Sequence, residues 1–251
     1  MGGGKMLDER KRFILQAVVD DYIHTAEPVG SKNLAGRHGL NVSPATIRHE
    51  MASLEEMGYL KQPHTSAGRI PTDKGYRYYV DTLKDSLVLS SMVKRDFSRK
   101  LASIRVREPE DLMREVPHLL ANLTCYVSLI LGPPKKRRVY FWGVSNLIHQ
   151  PEFGDLHRME FLFELLESES ELTNLLAEAV SNREVQVRIG SENKSEELRG
   201  LSLVLVGYGL GDEPLGTVGI LGPTRMDYVR IIPVVDYTAR SLSRLLESVR
   251  G

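Results

Sequence analysis

The feature that most limits how this chain can fold is the stretch SPATIRHEMASLEEM at residues 43–57. Ser43 is a residue type that caps helices, and Pro44 suits the first helical position because no backbone N–H is needed there. The apolar residues that follow recur at helical spacing and form one narrow stripe, made of Ile47, Met51 and Leu54. The sequence therefore predicts an amphipathic helix with a well-defined start and one buried side.

The opposite face of this predicted helix carries small, polar and cationic residues. Acidic side chains in the first turn would interact favourably with the helix dipole, yet Glu55 and Glu56 occur only late in the stretch. A phosphate or the edge of a base can approach such a face. The candidate DNA-binding residues on it are Ser43, Ala45, Thr46, Arg48 and His49. Arg48 is the stronger candidate, because a lone histidine such as His49 is more often a solvated helix residue.

The neighbouring segments predict two further helices and a β-hairpin. An apolar stripe that includes Phe13 and Val18 predicts the first helix, and Ser31 can cap a short second one. Downstream, two strands are predicted at YLKQP and GRIPT, joined by HTSA, with Gly68 and Arg69 near the tip of the hairpin. Three helices followed by a hairpin is the order of a winged helix-turn-helix. In that motif the third helix enters the major groove, and the wing contacts the backbone or the minor groove.

Positive charge is concentrated in this region, although the whole chain has a formal net charge of +0. Residues 30–80 contain seven lysines and arginines against four acidic residues. Cationic side chains near phosphates release counterions and supply affinity that does not depend on base sequence. We therefore predict contacts with the DNA backbone by Lys32, Lys61, Arg69 and Arg77. A small helical unit that binds another protein is the alternative interpretation of the same pattern.

Composition argues against several other classes of protein. The single cysteine, Cys125, rules out an intrachain disulfide and a cysteine-rich zinc site, and we expect a buried, inert thiol in an apolar strand. No apolar run approaches the roughly 18 residues that span a bilayer, and no signal-peptide pattern is present. We therefore expect a cytoplasmic protein without membrane contact. No metal-ligand spacing and no Ser/His/Asp arrangement stands out, so we expect no metal, no cofactor and no enzyme activity.

Two motifs could suggest other ligands, but both favour ordinary loops. GYGLG at residues 207–211 follows a predicted strand and leads into another strand, so a hairpin turn is favoured over a nucleotide-binding loop. PPKKRRV at residues 133–139 is basic enough to touch DNA, although a solvated loop between two strands is the favoured interpretation.

The rest of the chain predicts a second domain of mixed helices and strands. A polar hinge around residues 84–91 divides the chain into residues 1–85 and 86–251. The predicted strands lack the regular alternation with helices that marks a parallel sheet. One predicted helix carries an apolar stripe made of Leu156, Met159, Phe163 and Leu166. These patterns together predict an α+β chain that begins with a winged helix-turn-helix.

Three stretches of the sequence resemble the HrcA family, the bacterial heat-inducible transcription repressors. The first runs from Glu27 to Asp81 and contains the distinctive run QPHTSAGRIPTDKGYR. The others are GVSNLIHQPEF at residues 143–153 and LGTVGILGPTRMDYVRIIPVVDYTARSLSRLL at residues 215–246. The resemblance implies a winged-helix DNA-binding domain followed by a GAF-like sensor and dimerisation domain.

The same resemblance implies a function. It implies a repressor of heat-shock chaperone genes that binds an inverted-repeat operator as a homodimer and is relieved by heat stress, with the chaperonin GroEL maintaining the active form. A small-molecule-responsive regulator, whose GAF-like domain encloses a ligand, is the alternative.

The chain departs from the family pattern in one place. YVSLILG leads through only PPKKRRVYFW to GVSNL. The family's inserted dimerisation domain is missing at this point. Its dimer interface therefore does not carry over to this chain.

Overall fold

The structure, a computed structural model, describes residues 7–37, 42–83, 87–134, 137–154 and 156–250. The chain divides into two compact units, residues 1–85 (unit 1) and residues 86–251 (unit 2). Each unit has its own buried apolar core.

Unit 1 is a winged helix-turn-helix, as the order of its predicted elements indicates. Its elements are α1 (Glu9–Thr25), α2 (Ser31–Arg37), α3 (Pro44–Glu56), β1 (Leu60–Lys61), β2 (Ile70–Pro71) and α4 (Asp73–Leu83). β1 and β2 pair antiparallel, and Val29 forms an isolated antiparallel bridge with Arg69 beside them. This bridge ties the turn before α2 to the wing, which is the loop of residues 62–69.

The core of unit 1 forms where α1, α3 and α4 meet. The predicted apolar stripe of α3 is buried, as expected. On α1, Ile14 and Val18 are buried, but Phe13, which the sequence placed on the apolar side, is 44% exposed. α1 contacts α3, α4 and β2, and it therefore buries a wider face that also includes Leu15 and Val19.

The hairpin differs from its prediction in strand length and in the position of two residues. β1 and β2 contain two residues each, so the wing is longer than the predicted HTSA turn. Gly68 and Arg69 lie at the base of the wing and not at its tip, because Arg69 and Val29 exchange two backbone hydrogen bonds of 2.9 Å. A Cβ atom on residue 68 would lie 2.4 Å from the carbonyl oxygen of Val29. Glycine is therefore required for this close approach.

Unit 2 is an α+β domain built on one antiparallel sheet of GAF-like form. Its elements are α5 (Ser91–Ala102), α6 (Pro109–Thr124), β3 (Val127–Leu131), β4 (Val139–Trp142), α7 (Val144–Ile148), α8 (Leu156–Glu167), α9 (Glu169–Ala177), β5 (Gln186–Ile189), β6 (Leu201–Leu210), β7 (Glu213–Pro223) and α10 (Tyr228–Arg250). The five strands follow the order β4-β3-β7-β6-β5. α10 packs on β6 and β7, and α6 packs on β3 and β4.

Two details of unit 2 correct the sequence predictions. Cys125 is exposed and ends α6 with a left-handed φ of 60°, because β3 begins only two residues later. On α8, Leu156 is 83% and Phe163 is 44% exposed, whereas Leu162 and Leu165 are buried. Of the predicted stripe, Leu166 is buried and Met159 is half-buried, so the prediction holds for only part of the helix, and packing within the unit buries Leu162 and Leu165 in place of the two exposed residues.

Three features that bear on other functions can be read from the described residues. The GYGLG motif belongs to the β6–β7 hairpin, as predicted, and Gly211 takes a φ of 51° in its turn. No helix in the described ranges is long and apolar enough to cross a bilayer. The same ranges contain no cluster of three or more His, Cys, Asp or Glu side chains arranged to hold a metal ion.

Candidate nucleic-acid interface

The start of α3 is capped as the sequence predicts. The side-chain oxygen of Ser43 accepts a hydrogen bond of 3.2 Å from the backbone N–H of Thr46. The hydroxyls of Ser43 and Thr46 lie 3.0 Å apart, and Pro44 occupies the first turn of the helix. Both hydroxyls therefore serve first to fix the opening turn of α3, which positions the residues that follow.

The outward face of α3 carries the remaining residues predicted on this helix. Ala45, Arg48 and His49 are exposed, and Thr46 is half-buried. The apolar stripe of the helix faces the core of unit 1, so these side chains point away from that core. Within unit 1, the helix thus presents a small methyl group, a guanidinium and an imidazole to its surroundings.

The acidic residue in the middle of α3 is hidden by burial and ion pairing. Glu50 is 8% exposed, and its carboxylate lies 2.9 Å from Nζ of Lys11 and 3.7 Å from the guanidinium of Arg10, both on α1. Hydrogen bonds to Asp8 and Glu50 raise the pKa of Lys11 above its ordinary value. A negative charge next to the outward face is thereby neutralised. Sequence reasoning missed this pairing because the partners lie far apart along the chain.

A shallow depression of about 250 Å³ brings three of the predicted cationic residues together. The start of α2, one side of α3 and the wing line it, and they contribute Lys32, Arg48, Ser66 and Arg69 among others. Lys32 and Arg48 are both exposed. A concave site with two exposed cations suits a backbone phosphate, which positions a protein on a duplex without reading its sequence.

Arg69 is engaged within the protein. Its Nη2 lies 2.8 Å from Oε2 of Glu55, and its Nε donates to the same oxygen at 2.9 Å. The Arg69 side chain is 17% exposed. Its guanidinium charge is therefore paired, in contrast to that of a free phosphate-binding arginine at a wing tip.

The other two predicted backbone contacts lie outside the depression. Lys61 is exposed on β1. Arg77 is half-buried on α4, and its Nη1 donates to the carboxylate of Asp81 at 3.4 Å. The contacts of all nine candidate residues with DNA stay predictions.

The wing contains polar residues that the sequence reading did not single out. His64, Thr65 and Ser66 are exposed at its tip. The side chain of Gln62 donates to the carbonyl oxygens of Thr65 at 3.0 Å and Ala67 at 2.9 Å. The polar composition of HTSA was the available signal for the tip. The role of Gln62 depends on a turn geometry that spacing alone does not reveal.

Comparisons with known proteins agree on the family of this chain. Residues 134–232 match the family model described as the HrcA protein C terminal domain. A curated protein of Desulforamulus reducens named heat-inducible transcription repressor HrcA is 32% identical over 345 residues, which covers 97% of this chain and 98% of that protein. A protein of the same name from Desulforudis audaxviator is 35% identical over 340 residues, which covers 97% and 99% of the two chains.

Both alignments are longer than the chain of 251 residues. These relatives therefore contain a stretch that this chain lacks, of the size of a small domain. Among solved structures, one described only as the crystal structure of a hypothetical protein matches with a TM-score of 0.84 and 24% identity, covering 97% of this chain and 99% of that one. This last likeness supports the fold.

Proposed function

The chain belongs to the HrcA family of heat-inducible transcription repressors, and from this premise we propose that it represses transcription by binding double-stranded DNA through unit 1. The observation that carries the proposal is the exposed start of α3. There Arg48 and His49 face outward, and Arg48 shares one concavity with Lys32 and the wing. The relatives' names favour this function over a small-molecule-responsive regulator.

In this proposal α3 enters the major groove. Ala45, Thr46, Arg48 and His49 lie at or near base edges, and Ser43 lies near the flanking phosphate. An arginine in the major groove can donate two hydrogen bonds to a guanine, whereas lysines near phosphates hold the register. We assign this second role to Lys32, Lys61 and Arg77. The position of Lys32 in the depression supports its phosphate contact.

We further propose that two copies of the chain bind an inverted repeat. One winged helix covers only a short stretch of duplex, and linking two heads raises affinity because the second contact becomes intramolecular. The surface that joins the copies must lie within the residues that this chain retains. We assign this role to residues 86–251.

The proposed targets are heat-shock chaperone genes, in the cytoplasm. The proposed partner that maintains the active form is the chaperonin GroEL. Both proposals follow from family membership. The proposal that heat relieves repression follows from the word heat-inducible in the relatives' names.

A selection experiment tests the proposed function directly. The full chain is incubated with a library of randomised duplexes, and bound duplexes are amplified and sequenced over several rounds. We expect enrichment of an inverted repeat whose half-sites lie a whole number of helical turns apart, with two chains bound per duplex. Enrichment of a single half-site would refute the dimer, and the absence of any enrichment would refute the repressor function.

A further inference from the structure

We propose that Glu55 is a positioning residue that holds the wing in its DNA-binding orientation, and that Arg69 acts through this contact and not on a phosphate. This inference rests on the proposed function and assigns a role within the same interface. Glu55 lies near the end of α3, the proposed recognition helix. Any group that fixes the wing to this helix also fixes the geometry with which both elements meet a duplex.

One carboxylate holds both ends of the wing. Oε1 of Glu55 accepts a hydrogen bond of 3.1 Å from the backbone N–H of Gln62, at the start of the loop. Oε2 accepts from Nε of Arg69 at 2.9 Å, at the end of the loop, and Nη2 of Arg69 lies 2.8 Å from the same oxygen. Hydrogen bonds with a charged partner are stronger than neutral ones. A single side chain of α3 therefore closes the wing.

The interior of the wing is shaped by further hydrogen bonds. The side-chain amide of Gln62 donates to the carbonyl oxygens of Thr65 and Ala67. The backbone N–H of Ala67 donates to the carbonyl oxygen of His64 at 2.9 Å. These contacts order the loop before any ligand is present. The side chains of His64, Thr65 and Ser66 at the tip are exposed to solvent.

A second anchor holds the base of the wing from the other side. Arg69 and Val29 exchange backbone hydrogen bonds, and Gly68 lies against the same carbonyl group. The wing is thus fixed both to α3 and to the turn that precedes α2. A loop that is already ordered loses less conformational entropy on binding, so preorganisation raises affinity without a new contact to the ligand.

The direction in which Glu55→Ala changes the affinity for DNA distinguishes this role from a direct phosphate contact. Glu55 carries a negative charge close to the proposed DNA surface. If Arg69 binds a phosphate directly, Glu55→Ala releases Arg69 and removes repulsion, and DNA binding becomes tighter. If Glu55 orients the wing, the same substitution makes DNA binding weaker although the protein loses a negative charge.

The experiment measures the affinity of the full-length chain for the selected duplex by fluorescence anisotropy at several salt concentrations. We expect Glu55→Ala and Arg69→Gln each to weaken binding about tenfold, and the double variant to be no weaker than either single one, because both remove the same anchor. The slope of log affinity against log salt stays unchanged, since no phosphate contact is lost. Glu56→Ala, which removes the same charge from an exposed neighbour on α3, is the matched control and leaves binding unchanged or slightly tighter.

Hydrogen exchange without DNA supplies a readout of the anchor itself. We expect Glu55→Ala to accelerate exchange of the backbone amides of Gln62 and Ala67, while amides in the middle of α3 keep their protection. Tighter DNA binding by Glu55→Ala, or a salt slope that falls by about one in Arg69→Gln, would overturn the inference and leave the repressor function standing. A wild-type chain that binds no duplex would remove the function and this role with it.

Discussion

At the residue scale, we propose different roles in DNA recognition for the two exposed cations of the depression. Arg48 is exposed on the outward face of α3, which we propose meets base edges, whereas Lys32 lies at the start of α2 beside the wing. We expect Arg48→Ala to weaken binding to the selected duplex by about 1–3 kcal/mol and to relax its sequence preference. Lys32→Gln should weaken binding to all duplexes alike and reduce the salt slope by about one.

Anisotropy titrations on the selected duplex and on a scrambled duplex check both variants. Arg95→Ala, at an exposed arginine of α5 in unit 2, serves as the control for the loss of a positive charge. Equal losses on both duplexes for Arg48→Ala would show that Arg48 holds the backbone and does not read bases.

Ser43 matters for stability as well as for position. Because its side-chain oxygen accepts the Thr46 N–H, Ser43→Ala should lower the free energy of unfolding by about 1 kcal/mol. Ser43→Asn should restore most of this loss, since asparagine also caps helices. Urea unfolding followed by circular dichroism measures both. If Ser43→Ala leaves the unfolding midpoint unchanged, the cap contributes nothing measurable.

The residues that sequence alone could place are those whose role is local. Ser43 and Pro44 predict the start of α3, because helix capping depends on neighbours within one turn. The pairing of Arg69 with Glu55 was not predictable in the same way, since it depends on where the chain returns after the wing. For the same reason the spacing of residues around Glu50 did not predict its burial against α1.

At the element scale, the wing depends on Gly68 at its base. A Cβ atom on residue 68 would meet backbone atoms of Val29 and Pro28 at 2.4–2.8 Å, so Gly68→Ala must displace the bridge between Val29 and Arg69. We expect this substitution to destabilise unit 1 by about 1–3 kcal/mol and to weaken DNA binding.

Gly36→Ala provides a control that should change the stability of unit 1 in the opposite direction. Gly36 lies in α2 with no atom within 4 Å of a Cβ built on it, so alanine should stabilise the helix by about 0.5–1 kcal/mol. Thermal unfolding of the two variants beside the wild-type chain measures both effects. A Gly68→Ala variant as stable as Gly36→Ala would mean that the wing can move away from Val29 at no cost.

The apolar face of α3 was predicted correctly, whereas that of α8 was predicted only in part. α3 has one apolar stripe, and the structure buries it. α8 has apolar residues on two overlapping stripes, so the choice between them was made by the surrounding unit and not by the helix. The sequence predicted strands that are too long for the hairpin. Two residues in each strand are enough to form it, because Val29 adds a third segment that pairs with Arg69.

At the scale of the whole molecule, the proposed function assigns to unit 2 the control of what unit 1 binds. We propose that residues 86–251 join two copies, so the affinity for an inverted repeat depends on the folded fraction of unit 2. Proteins are marginally stable, and a modest rise in temperature shifts that fraction strongly. Heat would then separate the two heads, and each head alone would bind only one half-site.

The single tryptophan makes this prediction measurable. Trp142 lies on β4 in unit 2, and its ring stacks on His118 of α6 with centroids 3.7 Å apart. Tryptophan fluorescence therefore reports unfolding of unit 2 and is silent for unit 1. We expect affinity for the selected inverted repeat, measured by anisotropy across the same temperatures, to fall with the fluorescence transition, while the weaker affinity for a single half-site persists. Inverted-repeat binding that survives above the transition would show that heat acts on the repressor by another route.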